Sequence, residues 1–285
     1  MIDSQLSADS PLIFLDIDGT LLDSRYNSND ATLAEYINSL QKERGFIFGL
    51  NSNRSLEDIV PIAKQFSIDG PLIGENGIFA YYPKPDQLQY LLDEPELKKL
   101  VVDKEELQTL ILAAIEAKFK NQKVIWRNVD TVKSISEKII ETKYQEGDII
   151  VLNNVFRRHA ISAHLFRFTD GLLKTIPVPI VKSVLKLIRS ECKKRGLAIT
   201  YDPNFSNILV YSKSVSKNSA VKKVIGDYPN LKLYAVGDSM SDYEMVKDIG
   251  IFLAVANAPK DVRGKATLFS RAVNAQGVRE LLGKI

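Results

Sequence analysis

One stretch constrains this chain more than any other: Leu12-Ile13-Phe14-Leu15-Asp16-Ile17-Asp18-Gly19-Thr20-Leu21-Leu22. Four apolar residues that read as a fully buried strand run straight into two acids, one residue apart, and then a Gly-Thr turn. The most buried element of the chain is thus spent on presenting Asp16 and Asp18. Alone, such a stretch is also an ordinary strand ending, because Asp and Gly are common turn residues. Partners elsewhere in the sequence decide between the two.

The surrounding pattern predicts a parallel sheet. Leu33, Tyr36, Ile37 and Leu40 share one helical face, with Gly45 as a stop, and a buried strand follows over 46–50. The next helix opens with Ser55-Leu56-Glu57-Asp58, like a capping box, and leads to a short strand over 71–73. Strand, helix, strand, helix, strand is the rhythm of right-handed parallel crossovers. It breaks after Tyr82, at Pro83 and Pro85. From there the residues predict helices over 105–119, 132–144 and 181–195, and strands over 124–129, 149–152, 160–168, 197–201 and 207–211. The parallel pattern then resumes: helix 216–225, strand 231–236, helix 242–249, strand 252–255 and a last helix 275–282. The expected fold class is α/β, a Rossmann-like doubly wound parallel sheet with an inserted α+β domain. Residues 1–82 plus 213–285 form the expected core, and 83–212 the insertion.

Length and composition agree with two globular domains: 285 residues, 45% hydrophobic and 26% charged. With 38 basic against 35 acidic side chains the net charge is only +3, which gives no basis for a nucleic-acid or membrane partner. The first ten residues lack the regions of a signal peptide, and no apolar run approaches a membrane span. The single cysteine, Cys192, reads as a partly buried helix residue and cannot form an intramolecular disulfide. A cytoplasmic protein, monomer or homodimer, is expected.

Three polar clusters, Asp16/Asp18, Ser52/Asn53 and Asp238/Asp242, each follow a predicted strand, where open parallel sheets bind ligands. Several carboxylates around one crevice repel unless something positive sits among them. Mg²⁺, held by carboxylates, waters and a substrate phosphate, answers that need. Ser52, the backbone amides after its strand, the amides of residues 17 to 19 and a lysine would receive the phosphate.

These residues resemble a known family. Asp16-Ile17-Asp18-Gly19-Thr20-Leu21, Ser52, Lys217 and Gly237-Asp238-Ser239-Met240-Ser241-Asp242 resemble the four motifs of haloacid dehalogenase superfamily phosphatases. Glu75-Asn76-Gly77, Ala256-Asn257-Ala258-Pro259 and Gly277-Val278 narrow the resemblance to the Cof-type subclass IIB, similar to sugar-phosphate, mannosyl-3-phosphoglycerate and sucrose-phosphate phosphatases. The resemblance implies that the insertion is an α/β cap governing substrate specificity. It implies Asp16 as nucleophile through an aspartyl phosphate, Asp18 as general acid and base, and Lys217 orienting Asp16. Ser52, Asn53, Gly19 and Lys217 would bind phosphate. Asp16, Asp18 through its carbonyl, Asp238 and Asp242, directly or through water, would hold Mg²⁺. Asn53, Asn218 and Ser241 depart from the usual residues without removing a charged group, and Lys213 is a rival for the lysine role.

The expected function is Mg²⁺-dependent hydrolysis of a small phosphate ester, a sugar phosphate or phosphoglycerate-type compound. A phosphomutase or phosphotransferase with the same intermediate is the alternative, as is a non-catalytic phospho-acceptor module. In the insertion, Arg157, Arg158, His159, His164 and Arg167 form a basic cluster, with Trp126 and Arg127 elsewhere. A solvated face is the default for such a run; substrate contact is the sharper reading. Glu75, Asn76 and Asn257 are candidates for the rim of the site or for supporting its residues.

Overall fold

The computed structural model describes residues 10–130, 144–203, 205–228 and 231–285. They fall into two compact units, one within Met1–Leu91 and Val215–Ile285, the other within Leu92–Ser214.

Strands are numbered along the chain, as are the α-helices. The first unit holds β1 (Pro11–Leu15), β2 (Ile47–Asn51), β3 (Leu72–Gly74), β4 (Phe79–Tyr82), β5 (Gln87–Tyr90), β12 (Lys232–Gly237), β13 (Ile251–Ala254) and β14 (Leu268–Phe269). They form one sheet in the order β14-β13-β12-β1-β2-β3-β4-β5. From β14 to β3 neighbours are parallel, and β4 and β5 add an antiparallel edge. Strand β1 lies where the order reverses: the chain moves outward through β2 and β3 and returns on the other side at β12. Leu15 is in register with both Leu50 and Val236, so the residues after all three strands leave the sheet along one edge.

Both faces are covered, as a parallel sheet requires. On one side Ile13 and Leu15 pack with Leu33 and Ile37 of α1 (Leu33–Arg44), Ile59 of α2 (Leu56–Gln65) and Val278 and Leu281 of α8 (Asn274–Leu282). On the other, Leu12 and Phe14 meet Ala220, Val221 and Val224 of α5 (Lys217–Val224) and Met245 and Val246 of α6 (Met240–Val246). A short α7 (Lys260–Arg263) precedes β14. The doubly wound α/β class expected from the sequence is what the chain adopts. The first segment runs further than residue 82, however. Pro83 and Pro85 sit in the turn of the β4–β5 hairpin, so residues 83–91 belong with the first unit.

The second unit orders its strands β10-β11-β8-β7-β6, with β9 paired to β8. These are β6 (Val124–Val129), β7 (Ile149–Asn154), β8 (Ile161–Thr169), β9 (Leu172–Thr175), β10 (Leu197–Asp202) and β11 (Asn207–Ser212). Among the described strands of this unit only β6 and β7 are parallel. Helix α3 (Glu94–Lys118) buries Leu107, Ile111 and Ile115, and α4 (Val178–Lys194) buries Val181, Val184, Leu185, Ile188 and Cys192. Helix α3 begins eleven residues before its expected start. Asp93 caps it, accepting from the Glu96 amide (2.8 Å), and Pro95 stands in the first turn, where a missing N–H costs nothing. The helix expected over 132–144 lies outside the described residues, apart from Tyr144.

Candidate active site

Asp16 follows β1 directly, and its amide donates to the Val236 carbonyl (3.0 Å). Its buried carboxylate accepts from Lys217 Nζ at Oδ1 (2.5 Å) and, at longer range, from Thr20 Oγ1 at Oδ2 (3.4 Å). Lys217 is the first residue of α5, behind the N-cap Ser216, whose hydroxyl accepts from the Ser219 amide (3.1 Å). A helix N-terminus repels a cation. Two carboxylates compensate, for the same Nζ also donates to Asp242 Oδ1 (2.7 Å).

Asp242, fully buried in the first turn of α6, accepts at Oδ2 from the amides of Asp238 (3.1 Å) and Ser239 (3.0 Å) and from Ser239 Oγ (2.7 Å). Both of its oxygens are therefore engaged. Asp238 follows β12 and lies against Gly19, where a Cβ would come within 2.3 Å of its Oδ2. Gly19 also has φ +88°, so no other residue suits the position. Asp16, Asp238 and Asp242 each offer an oxygen within 4.8 Å of the others'.

Burial, and after it the charge of Asp242, hold the Asp16 carboxyl well above the ordinary range. The same two causes push Asp238 up to about 7. Burial opposes the charge on Lys217, but Asp16 and Asp242 outweigh it and raise its pKa. Three acids here face one ammonium, an excess that a hard divalent cation would relieve. The donor set fits Mg²⁺. Asp16 and Asp238 are the carboxylates placed to take an ion directly; for Asp242, direct ligation would sacrifice hydrogen bonds it already makes.

Asp18 stands apart from this triad. Its carboxylate is gripped by Arg54, Nε to Oδ2 at 3.0 Å and Nη2 to Oδ1 at 2.6 Å. Sequence inspection passed over Arg54, although its place two residues after Ser52 was a usable signal. Ser52 is buried after β2; its amide donates to Ile73 O (3.0 Å) and its Oγ accepts from the Arg54 amide (3.3 Å), leaving the hydroxyl proton to donate. Asn53 is next to it, half-buried.

Gly19 does not suit the amide role expected of it, because its N–H donates to the Leu22 carbonyl (2.8 Å) inside the turn. Its carbonyl is held by Asn257 Nδ2 (2.7 Å) and Asn274 Nδ2 (2.9 Å). Glu75 and Asn76 both have positive φ, and their amides donate to the carbonyls of Arg54 (2.9 Å) and Ser52 (3.3 Å). They support the loop after β2 through backbone. Lys213 is exposed and belongs to the second unit. Asn218 ties α5 to α6 through the Glu244 carbonyl (2.9 Å).

The basic cluster of the second unit is no uniform solvated face. Arg157, His159 and His164 are buried, while Arg158 is exposed. His164 Nδ1 lies 2.8 Å from the Phe205 carbonyl, and Arg167 stacks over Phe119. Burial, then the charges of Arg158 and Lys104, push the His159 imidazole down to about 4.

The pattern of the haloacid dehalogenase-like hydrolases matches residues 13–282. The chain belongs to this family. A phosphoglycolate phosphatase of Staphylothermus marinus is 25% identical over 280 residues, covering 96% of this chain and 97% of its own. A glucosyl-3-phosphoglycerate/mannosyl-3-phosphoglycerate phosphatase of Persephonella marina is 25% identical over 260 residues, 87% of this chain and 86% of its own. Among solved structures, a haloacid dehalogenase-like hydrolase from Bacteroides thetaiotaomicron aligns with TM-score 0.66 at 18% identity, over 97% of this chain and 99% of that one. A subclass IIB sugar phosphatase aligns with TM-score 0.60 at 16% identity, over 96% and 98%. Family and relatives together make this haloacid dehalogenase-like chain an enzyme, a phosphoric monoester hydrolase. No described helix is long and apolar enough to cross a membrane.

Proposed function

We propose that this hydrolase releases phosphate from a small phosphorylated metabolite, a sugar phosphate or phosphoglycerate-type ester, through an aspartyl phosphate at Asp16, with Mg²⁺ as cofactor. The observation that carries the proposal is the buried Lys217 ammonium bridging Asp16 and Asp242 beside Asp238. Lys217 fixes one oxygen of Asp16 and leaves the other to attack phosphorus. As that P–O bond forms, the ester P–O bond breaks and Asp18 gives its proton to the departing oxygen. Water then attacks the acyl phosphate, Asp18 takes its proton, and Asp16 and inorganic phosphate are regenerated. Ser52, with its hydroxyl proton available, donates to a phosphoryl oxygen, and Asn53 flanks it.

Asp16, Asp238 and the Asp18 carbonyl would hold Mg²⁺, which when bound neutralises charge on the phosphoryl oxygens and the carboxylates. Asp242 acts beside it, holding Lys217 and the Asp238-Ser239 turn. The names of the curated relatives speak of phosphatases, which supports hydrolysis over transfer to a second sugar. We assign substrate selection to the second unit, a cytoplasmic location to the protein, and monomer or homodimer to its assembly. Turnover of p-nitrophenyl phosphate tests the reading: Mg²⁺-dependent release, abolished by EDTA and by Asp16→Asn, is expected. Release that persists in EDTA, or survives Asp16→Asn undiminished, would sink it.

A further inference from the structure

Asp18 has to orient a proton toward two oxygens in turn, the leaving ester oxygen and the attacking water. A lone carboxylate at the end of a loop has rotamer freedom that such a task cannot tolerate. Asp18 does not have that freedom. The Arg54 guanidinium meets it with two parallel N–H···O contacts, a fork that sets the plane of the carboxylate as well as its position.

Arg54 is itself immobilised. Its side chain is 7% exposed against 31% for Asp18, so the clamp is buried on the arginine side and open on the acid side. Its guanidinium lies 5.2 Å from the centre of the Tyr26 ring. The Arg54 carbonyl accepts from the Glu75 amide (2.9 Å), and its own amide donates to Ser52 Oγ (3.3 Å). Asp58 adds a further negative charge nearby, held by Ser55 Oγ (2.9 Å). Arg54 therefore links the loop after β2, which carries Ser52, to the loop after β1, which carries Asp18. The left-handed Glu75 and Asn76 brace that link from β3 through their amides.

We infer that Arg54 is a positioning residue that holds the Asp18 carboxylate in the plane from which it serves the leaving oxygen. It acts on the substrate only through Asp18. The inference rests on the proposed role of Asp18.

The comparison of two aryl esters tests it. Nitrophenolate departs without a proton, whereas the more basic phenolate of phenyl phosphate needs one, and kcat/KM reports the steps through phosphoryl transfer to Asp16. Arg54→Met should lower kcat/KM for phenyl phosphate about tenfold more than for p-nitrophenyl phosphate, within the range that general acid assistance supplies. In an Asp18→Asn background the same substitution should change either value by less than about twofold, because coupled residues are not additive. Arg54→Lys keeps a charge without the fork and should recover only part of the loss, with the same bias between esters. If Arg54→Met does not fold, the cycle is run with Arg54→Lys. Equal losses on both esters, additive with Asp18→Asn, would show Arg54 to be structural and overturn the inference while leaving the proposed function standing. Wild-type protein inactive on both esters would overturn the function itself, and the inference with it.

Discussion

Lys217 is placed where a helix least favours a cation and is buried as well, so its two carboxylate partners must hold it. Lys217→Met should cost about 3–5 kcal/mol of stability, the usual penalty for leaving buried charge uncompensated. Denaturant unfolding without added metal checks this, and a change below 1 kcal/mol would contradict the bridging geometry. The charged members of the site were legible in the sequence because each is tied to an element end: Asp16 after β1, Asp238 after β12, Asp242 and Lys217 in first helical turns. Arg54 was not legible as the partner of Asp18, since that pair joins residues 36 positions apart through neighbouring strand ends. Nor was Asn274, which reaches the Gly19 carbonyl across 255 positions. Gly19 was visible as a turn glycine, but not as the residue whose missing Cβ makes room for Asp238.

At the scale of elements, hydrophobic periodicity located the crossover helices and the buried strands, because in a doubly wound sheet each burial pattern is strong and local. It failed where polar residues form regular structure. Strand β5 is exposed along its length and, among the described residues, ends the strand order of its sheet, so it lacks an apolar signal. Helix α3 opens with two turns of mostly polar residues before its buried face begins at Leu100. Ser55, expected to cap α2 through its hydroxyl, instead donates to Asp58 beside Arg54. The cap that does matter for α3 is Asp93. Asp93→Ala should destabilise the protein by about 1 kcal/mol, read as a shift in urea midpoint with an unchanged slope. No shift would mean that the Glu96 amide finds another acceptor.

Over the whole molecule, the chain builds a mainly parallel sheet from both ends of the sequence and a mostly antiparallel unit from the middle of it. The first was readable for chemistry because strand ends concentrate it. The second was readable only as α+β, because no strand-end motif marks its buried polar residues, His159 and His164 among them. His159 gives that unit a pH signature. Its folded pKa of about 4 lies below the ordinary imidazole value of 6.5, so between those values the unfolded chain binds more protons. Its contribution to stability is complete above pH 6.5 and is lost as pH falls toward 4. Asp16 and Asp238, with carboxyls held above the ordinary range, contribute the opposite slope in the same window, so the test is a difference. Urea midpoints should fall more, or rise less, toward pH 4 in the wild type than in His159→Gln, and equal slopes would exclude His159 as a contributor.

The proposed reaction turns on phosphorylation of Asp16. The direct measurement is a rapid acid quench during Mg²⁺-supported turnover of p-nitrophenyl phosphate, followed by peptide mass spectrometry. A phosphoryl group on Asp16 of the wild-type protein is expected, and neither that adduct nor phosphate release from Asp16→Asn. A phosphoryl group carried on another residue, or full-rate release by Asp16→Asn, would contradict it.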